Sequence, residues 1–147
     1  MASFLGIDPG ANGAYALHSP DGWIVEDLPH TEEGAFDAAA LYHRLLTAGP
    51  LVVALERPLP FTISNADSML KLGQSYGALL ACVSILPDSR VLTPTARSWK
   101  AAMGLTSEKG VSVARAREVL EFGPKQRLRH DKAEAVLLAV WAGRQPM

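Results

Sequence analysis

The chain has a single cysteine, Cys82, in 147 residues. An internal disulfide and a zinc site built from several thiolates are therefore excluded. Cys82 falls on a helical pattern and reads as a small core residue. One thiol and no disulfide framework are what a cytoplasmic protein is expected to carry. Apolar runs of the roughly 20 residues that cross a bilayer are absent, so no membrane association is expected. The opening MASFLGID has neither a basic leader nor a cleavage pattern, and no secretion signal is expected. Internal repeats, low-complexity segments and linkers are also lacking. The net charge is only −1, so the chain as a whole has no excess of either sign.

What is present fits one globular domain, residues 1–147, with one core. The composition is 48% hydrophobic and 20% charged, within the range of soluble domains. The near-zero net charge hides an asymmetry. Residues 1–96 hold 4 Lys/Arg and 10 Asp/Glu, whereas residues 97–147 hold 10 Lys/Arg and 5 Asp/Glu. Nine of those basic residues fall between Arg97 and Lys132. This segment can form either a phosphate-binding face or an ordinary solvated helical surface.

Short strands are expected at 3–8, 13–19 and 22–28. Two turn-rich connections, Pro9-Gly10-Ala11-Asn12-Gly13 and Ser19-Pro20-Asp21-Gly22, should make them an antiparallel meander. Apolar residues at helical spacing predict a helix over 33–48, stopped by Gly49-Pro50. The run LVVALE at 51–56 is a second buried-type strand. A long helix follows at 65–86, with Asn65 or Asp67 near its start, then a short strand at 91–93. Helices are expected at 94–103, 107–122 and 131–144, with Gly104 and Gly123-Pro124 ending the first two. The order β-β-β-α-β-α-β followed by helices implies an α/β fold. Its sheet should be mixed and five-stranded, flanked by helices on its faces.

The chemistry is concentrated where apolar runs end. FLGID stops at Asp8 and turns sharply through Pro9-Gly10; LVVALE stops at Glu56, and Arg57-Pro58 closes it. A carboxylate at the end of a core strand is costly to desolvate. If the two strands are parallel neighbours, Asp8 and Glu56 emerge at the same sheet edge, where open α/β sheets bind ligands. Asp131 and Glu134 share a face at the start of the last helix. The stripe Val136, Leu137, Val140 and Trp141 would dock that helix on the sheet. Four close carboxylates repel one another, and a divalent cation removes the conflict. All-oxygen ligands suit Mg²⁺ or Mn²⁺. Two such ions about 4 Å apart can support phosphodiester hydrolysis. Each acid also has a plainer reading. Asp8 can be a turn former, Glu56 can pair with Arg57 or another base, and Asp131 with Glu134 can form a helix cap.

Four stretches resemble the RuvC family of Holliday junction resolvases: GIDPG at 6–10, ALE at 54–56, NADSMLKLGQSYG at 65–77 and HDKAEAVLLA at 130–139. They occur in the family's order and span nearly the whole chain. GIDPG alone is weak, because sugar kinases and actin-like ATPases carry similar turns; NADSMLKLGQSYG is far more specific. The resemblance implies a ribonuclease H-like fold and a metal-dependent endonuclease that cuts four-way DNA junctions with paired, symmetric nicks. Asp8, Glu56, Asp131 and Glu134 match the family's acidic tetrad and would hold two Mg²⁺ ions per site, with Mn²⁺ as a substitute. Glu134 is a departure, because the bacterial enzymes usually have Asp there. Lys100 and Lys109 match basic positions near the cut, where a lysine can neutralise developing charge. Arg97 and Arg115, in the same basic segment, are further candidates for DNA contact.

The segment RPLPFTIS, after Glu56, occupies the place of a family loop that carries a junction-stacking aromatic. Phe61 is the candidate here, since an aromatic face can stack on an unpaired base. The loop is slightly longer than in the bacterial enzymes, which affects any sequence preference. His130 can bond a carboxylate or a phosphate. Gly73 and Gly77, four apart on one helix face, allow close packing in the core or across a dimer interface. The expected partners are four-way junction DNA and a second copy of the chain in a C2 homodimer, with no nucleotide cofactor. The compact sequence also resembles bacteriophage-encoded members, which act in the cytoplasm of a bacterial host. Rival readings are a broader branched-DNA or RNA nuclease, a non-catalytic junction binder and an actin-like phosphotransferase, for which 147 residues leave no second lobe.

Overall fold

The computed structural model describes residues 2–10, 12–59 and 65–146. Five strands form one sheet: β1 (Ser3–Asp8), β2 (Ala14–Ser19), β3 (Gly22–Asp27), β4 (Leu51–Leu55) and β5 (Ser89–Leu92), in the order β3-β2-β1-β4-β5. The opening meander pairs antiparallel, while β1–β4 and β4–β5 are parallel. The mixed five-stranded sheet read from the element order is thus the observed one. The described residues also form five helices: α1 (Ala38–Leu45), α2 (Ala66–Ser84), α3 (Ala96–Ala102), α4 (Lys109–Val119) and α5 (His130–Gly143). None of the described helices is long and apolar enough to cross a membrane.

Side chains alternate across the pleat, so the sheet has two cores. Leu5, Ile7, Val53 and Leu55 face one side, with Leu41 and Leu45 of α1 and Leu79, Cys82 and Val83 of α2. Ala14, Ala16, Val52 and Ala54 face the other, with Trp99 of α3 and Val136, Leu137 and Leu138 of α5. The second face is lined by small residues because α5 lies almost on the backbone of β1. A Cβ at Gly6 would stand 2.0 Å from the Ala135 carbonyl oxygen and 2.4 Å from the Ala139 nitrogen. Glycine at this position therefore sets how deeply α5 docks.

Several helix ends differ from the sequence expectation. The segment expected to open α1 at residue 33 instead makes a turn, with Gly34 in the left-handed region at φ 84° and its N–H donating to the Thr31 carbonyl at 3.0 Å. Asp37 then caps α1 by accepting from the Ala40 N–H at 3.0 Å. Of the two candidate starts for α2, Asn65 is the cap, accepting from the Ser68 N–H at 2.8 Å. α4 stops before Gly123-Pro124, because Glu121 already adopts a left-handed φ of 56°. Gly104, at φ 68°, does end α3 as read.

Candidate active site

Ile7 of β1 pairs with Leu55 of β4 in parallel register. Asp8 and Glu56, each one residue further on, therefore leave the same sheet edge side by side. The Glu56 N–H donates to the Ile7 carbonyl at 3.2 Å, carrying the pairing one step beyond β4. The Arg57 N–H donates to the Pro94 carbonyl at 2.8 Å, tying this exit to the segment that opens α3.

The Asp8 carboxylate accepts from the Gly10 N–H at 3.2 Å, so the turn role is real. It does not satisfy the group. Burial, then the charge of Glu56, then Asp131 and Glu134 push the Asp8 pKa up to about 7, against the Gly10 hydrogen bond. All four acids are thus electrostatic neighbours. Glu56 is also raised, chiefly by burial and further by Glu134; the Trp99 hydrogen bond and the charge of Lys100 oppose the shift. Its partner is not Arg57: the Trp99 indole Nε1 donates to Oε1 of Glu56 at 2.8 Å.

α5 brings the other two acids. Its N-cap residue is Arg129, which makes no side-chain capping bond, so Asp131 and Glu134 are not a cap pair. Asp131 lies in the first turn and accepts from Nε of Arg129 at 3.2 Å. Arg129 also donates to the Asn12 carbonyl at 3.0 Å and bonds Asp27 at the end of β3. It thereby joins three segments around the site. Glu134 is only 3% exposed. Its Oε1 lies 2.7 Å from Nζ of Lys100 and 2.8 Å from Nε2 of His130, the latter off the line of a hydrogen bond. Its Oε2 is buried without a partner.

Four carboxylates form the all-oxygen donor set that suits a hard divalent cation, and the orphaned Oε2 of Glu134 with the strained ionisation of Asp8 fits one. The side chains are not yet gathered. Among the described residues, no three acidic, histidine or cysteine side chains close on a common point. Lys100 supplies the local counter-charge at Glu134, with the His130 ring beside it.

The other candidates separate clearly. Lys100 is not a free surface lysine; it is inside the acidic cluster, with a side chain 15% exposed. Arg97 and Lys109 are exposed and Arg115 is half-buried. Arg117, in the same basic segment, donates to the carbonyls of Gly123 and Gln126, closing the loop after α4. Phe61 lies outside the described residues. Gly73 and Gly77 have open space where a Cβ would stand, so they do not pack in the core. Sequence reasoning missed Arg129 and Trp99. The available signal for Trp99 was its own N–H, since a core indole needs an acceptor and Glu56 was an acid in need of a donor.

Comparison with known proteins follows this geometry. No protein-family model matches the chain, and no curated protein sequence does. Solved structures do. Thermus thermophilus RuvC in complex with Holliday junction substrate is similar with a TM-score of 0.71 at 18% identity, over 96% of this chain and 92% of that one. Thermus thermophilus RuvC alone gives 0.70 at 19% identity, over 95% and 92%. The yeast mitochondrial Holliday junction resolvase Ydc2 gives 0.56 at 17% identity, over 94% and 76%. The chain has the fold of the RuvC resolvases, which is ribonuclease H-like, along nearly its whole length.

Proposed function

We propose that this chain, sharing the fold of the RuvC resolvases, is a metal-dependent endonuclease that resolves four-way DNA junctions. The observation that carries the reading is that Asp8 lies within electrostatic reach of Glu56, Asp131 and Glu134, from the exit of β4 and α5, at one sheet edge. Acids brought this close disfavour one another's ionisation, a conflict that a divalent cation would remove. Asp8, Glu56, Asp131 and Glu134 would hold Mg²⁺ or Mn²⁺, two ions per site. The chemistry such ions supply is an acidified water and neutralisation of charge on the leaving oxygen.

The chain's own groups supply position and charge. Asp8 and Glu56 are anchored on paired strands, the most rigid part of the fold, which fixes where substrate phosphate is cut. Lys100, already within the cluster, neutralises charge that develops on the phosphate. Arg97, Lys109 and Arg115 track the DNA backbone, and Phe61 stacks at the junction centre. Hydrolysis leaves a 5′-phosphate and a 3′-hydroxyl. A junction with two-fold symmetry needs two matched cuts, so the working form is a C2 homodimer in the cytoplasm. α2 offers the surface for it: Met69 and Leu70 are exposed, and Gly73 and Gly77 leave room for close approach.

The test is cleavage of a labelled immobile four-way junction beside a linear duplex and a three-way fork, with Mg²⁺ and with EDTA. Paired, symmetric, Mg²⁺-dependent nicks in the four-way junction alone are expected. Equal cutting of the fork would mean a general branched-DNA nuclease. Binding without cutting in Mg²⁺ or Mn²⁺ would leave a junction-binding protein.

A further inference from the structure

Glu56 is held at two levels. Its backbone is fixed between β1 and the start of α3 by the Glu56 N–H to Ile7 and Arg57 N–H to Pro94 bonds. Its side chain still has three rotatable bonds between that backbone and the carboxylate. Among the described residues, the donor that meets the carboxylate is the indole of Trp99, 2.8 Å from Oε1.

Trp99 is suited to aim a carboxylate. It is fully buried, in the core cluster that also holds Ala54 of β4, Val136 of α5 and Met103, so its ring cannot rotate without opening the core. An indole offers one N–H and no acceptor; it ties one oxygen of Glu56 and leaves the other. The next residue, Lys100, bonds Glu134 at 2.7 Å. One short helix, α3, thus places consecutive side chains on acids from two different elements. A buried indole needs an acceptor for its N–H, and here that acceptor is an acid of the cluster.

We infer that Trp99 is the positioning residue for Glu56, confining its carboxylate to the sheet edge before a divalent cation draws the acids together. The inference rests on the proposed reading of the four acids as a cation site. Without the indole N–H, Glu56 samples several rotamers, and binding must then supply the cost of ordering it. Trp99 is fully buried and acts through the carboxylate of Glu56, so its loss should alter cation affinity rather than the rate of the loaded enzyme.

The experiment is calorimetric titration of the free protein with Mn²⁺, for wild type, W99F, E56Q and the double variant. Loss of an outer hydrogen-bond partner weakens metal binding by about 10-fold or more, and W99F should show that loss. The Mg²⁺ needed for half-maximal junction cleavage should rise by the same factor, with kcat at saturating Mg²⁺ and junction affinity in EDTA near wild type. In the E56Q background W99F should change Mn²⁺ affinity no further. Wild-type affinity in W99F, or an equal loss in the E56Q background, would overturn the inference and leave the cation site standing. Absence of Mn²⁺ binding by the wild type would overturn both. Should W99F fail to fold, a W23F/W141F protein keeps Trp99 as its sole tryptophan. Its emission should shift on Mg²⁺ addition with the half-saturation that calorimetry gives for Mg²⁺ on the same protein, and an unchanged spectrum would overturn the inference.

Discussion

The ammonium of Lys100 lies 2.7 Å from Oε1 of Glu134, and the two side chains are only 15% and 4% exposed. The lysine compensates Glu134, as Arg129 compensates Asp131. Removing one partner of a buried pair strands the other charge, which is worse than having neither. Lys100→Met should therefore lower stability in EDTA by about 2 kcal/mol, a value reduced from the usual range because His130 also flanks Glu134. Added Mg²⁺ should restore part of the loss while junction cleavage stays low. Urea unfolding with and without Mg²⁺ reads this directly. An unchanged midpoint in EDTA would show that the pair contributes nothing to the metal-free fold.

Asp8 gives the protein a pH dependence of definite sign. Its pKa is about 7 when folded against 3.8 as the reference value, so the folded state holds this proton more tightly than the unfolded chain. In EDTA, stability should fall as pH rises from about 4 to about 7 and then level off, as far as this group decides it. Asp8→Asn removes the titration. It should flatten that part of the profile and raise stability at pH 8 by about 2–4 kcal/mol. A variant no more stable than wild type at pH 8 would mean that Asp8 is not held in an unfavourable ionised state.

Gly6 tests how α5 reaches the site. Both atoms that a Cβ would meet first, the Ala135 carbonyl oxygen at 2.0 Å and the Ala139 nitrogen at 2.4 Å, are backbone and cannot move aside singly. Gly6→Ala should cost about 3 kcal/mol or more and displace Asp131 and Glu134 together. Thermal unfolding gives the first effect and loss of Mn²⁺ binding the second. A variant with wild-type stability would contradict the close docking.

The α2 surface makes a separate prediction. Leu70 is 62% exposed, so Leu70→Glu should change monomer stability by no more than about 0.5 kcal/mol. It should nevertheless convert a dimer to a monomer in sedimentation analysis and abolish paired cutting. A dimer that persists would move the interface elsewhere.

Asp8 and Glu56 were legible in the sequence because two apolar runs each end in an acid, and strand periodicity and turn residues are local signals. The parallel register that joins them followed from the crossover through α1. Exact helix starts were less legible. Residues 33–37 have the composition of a helix, but the left-handed turn at Gly34 and the Asp37 cap override it. The capping pattern at Asp131 and Glu134 misled in the same way, because Arg129 stands at the cap. The contacts of Trp99 with Glu56 and of Arg129 with Asn12 and Asp27 span 43, 117 and 102 positions. Such pairings depend on how α3 and α5 pack, which no local pattern encodes.

The most direct test of the account is to compare wild type and Asp8→Asn on one labelled immobile four-way junction, measuring binding by gel shift and cutting in Mg²⁺ on the same samples. The expected result is symmetric paired nicks from the wild type, and none from the variant at undiminished junction affinity. Cutting by Asp8→Asn at the wild-type rate would contradict the assignment of catalysis to this cluster of acids.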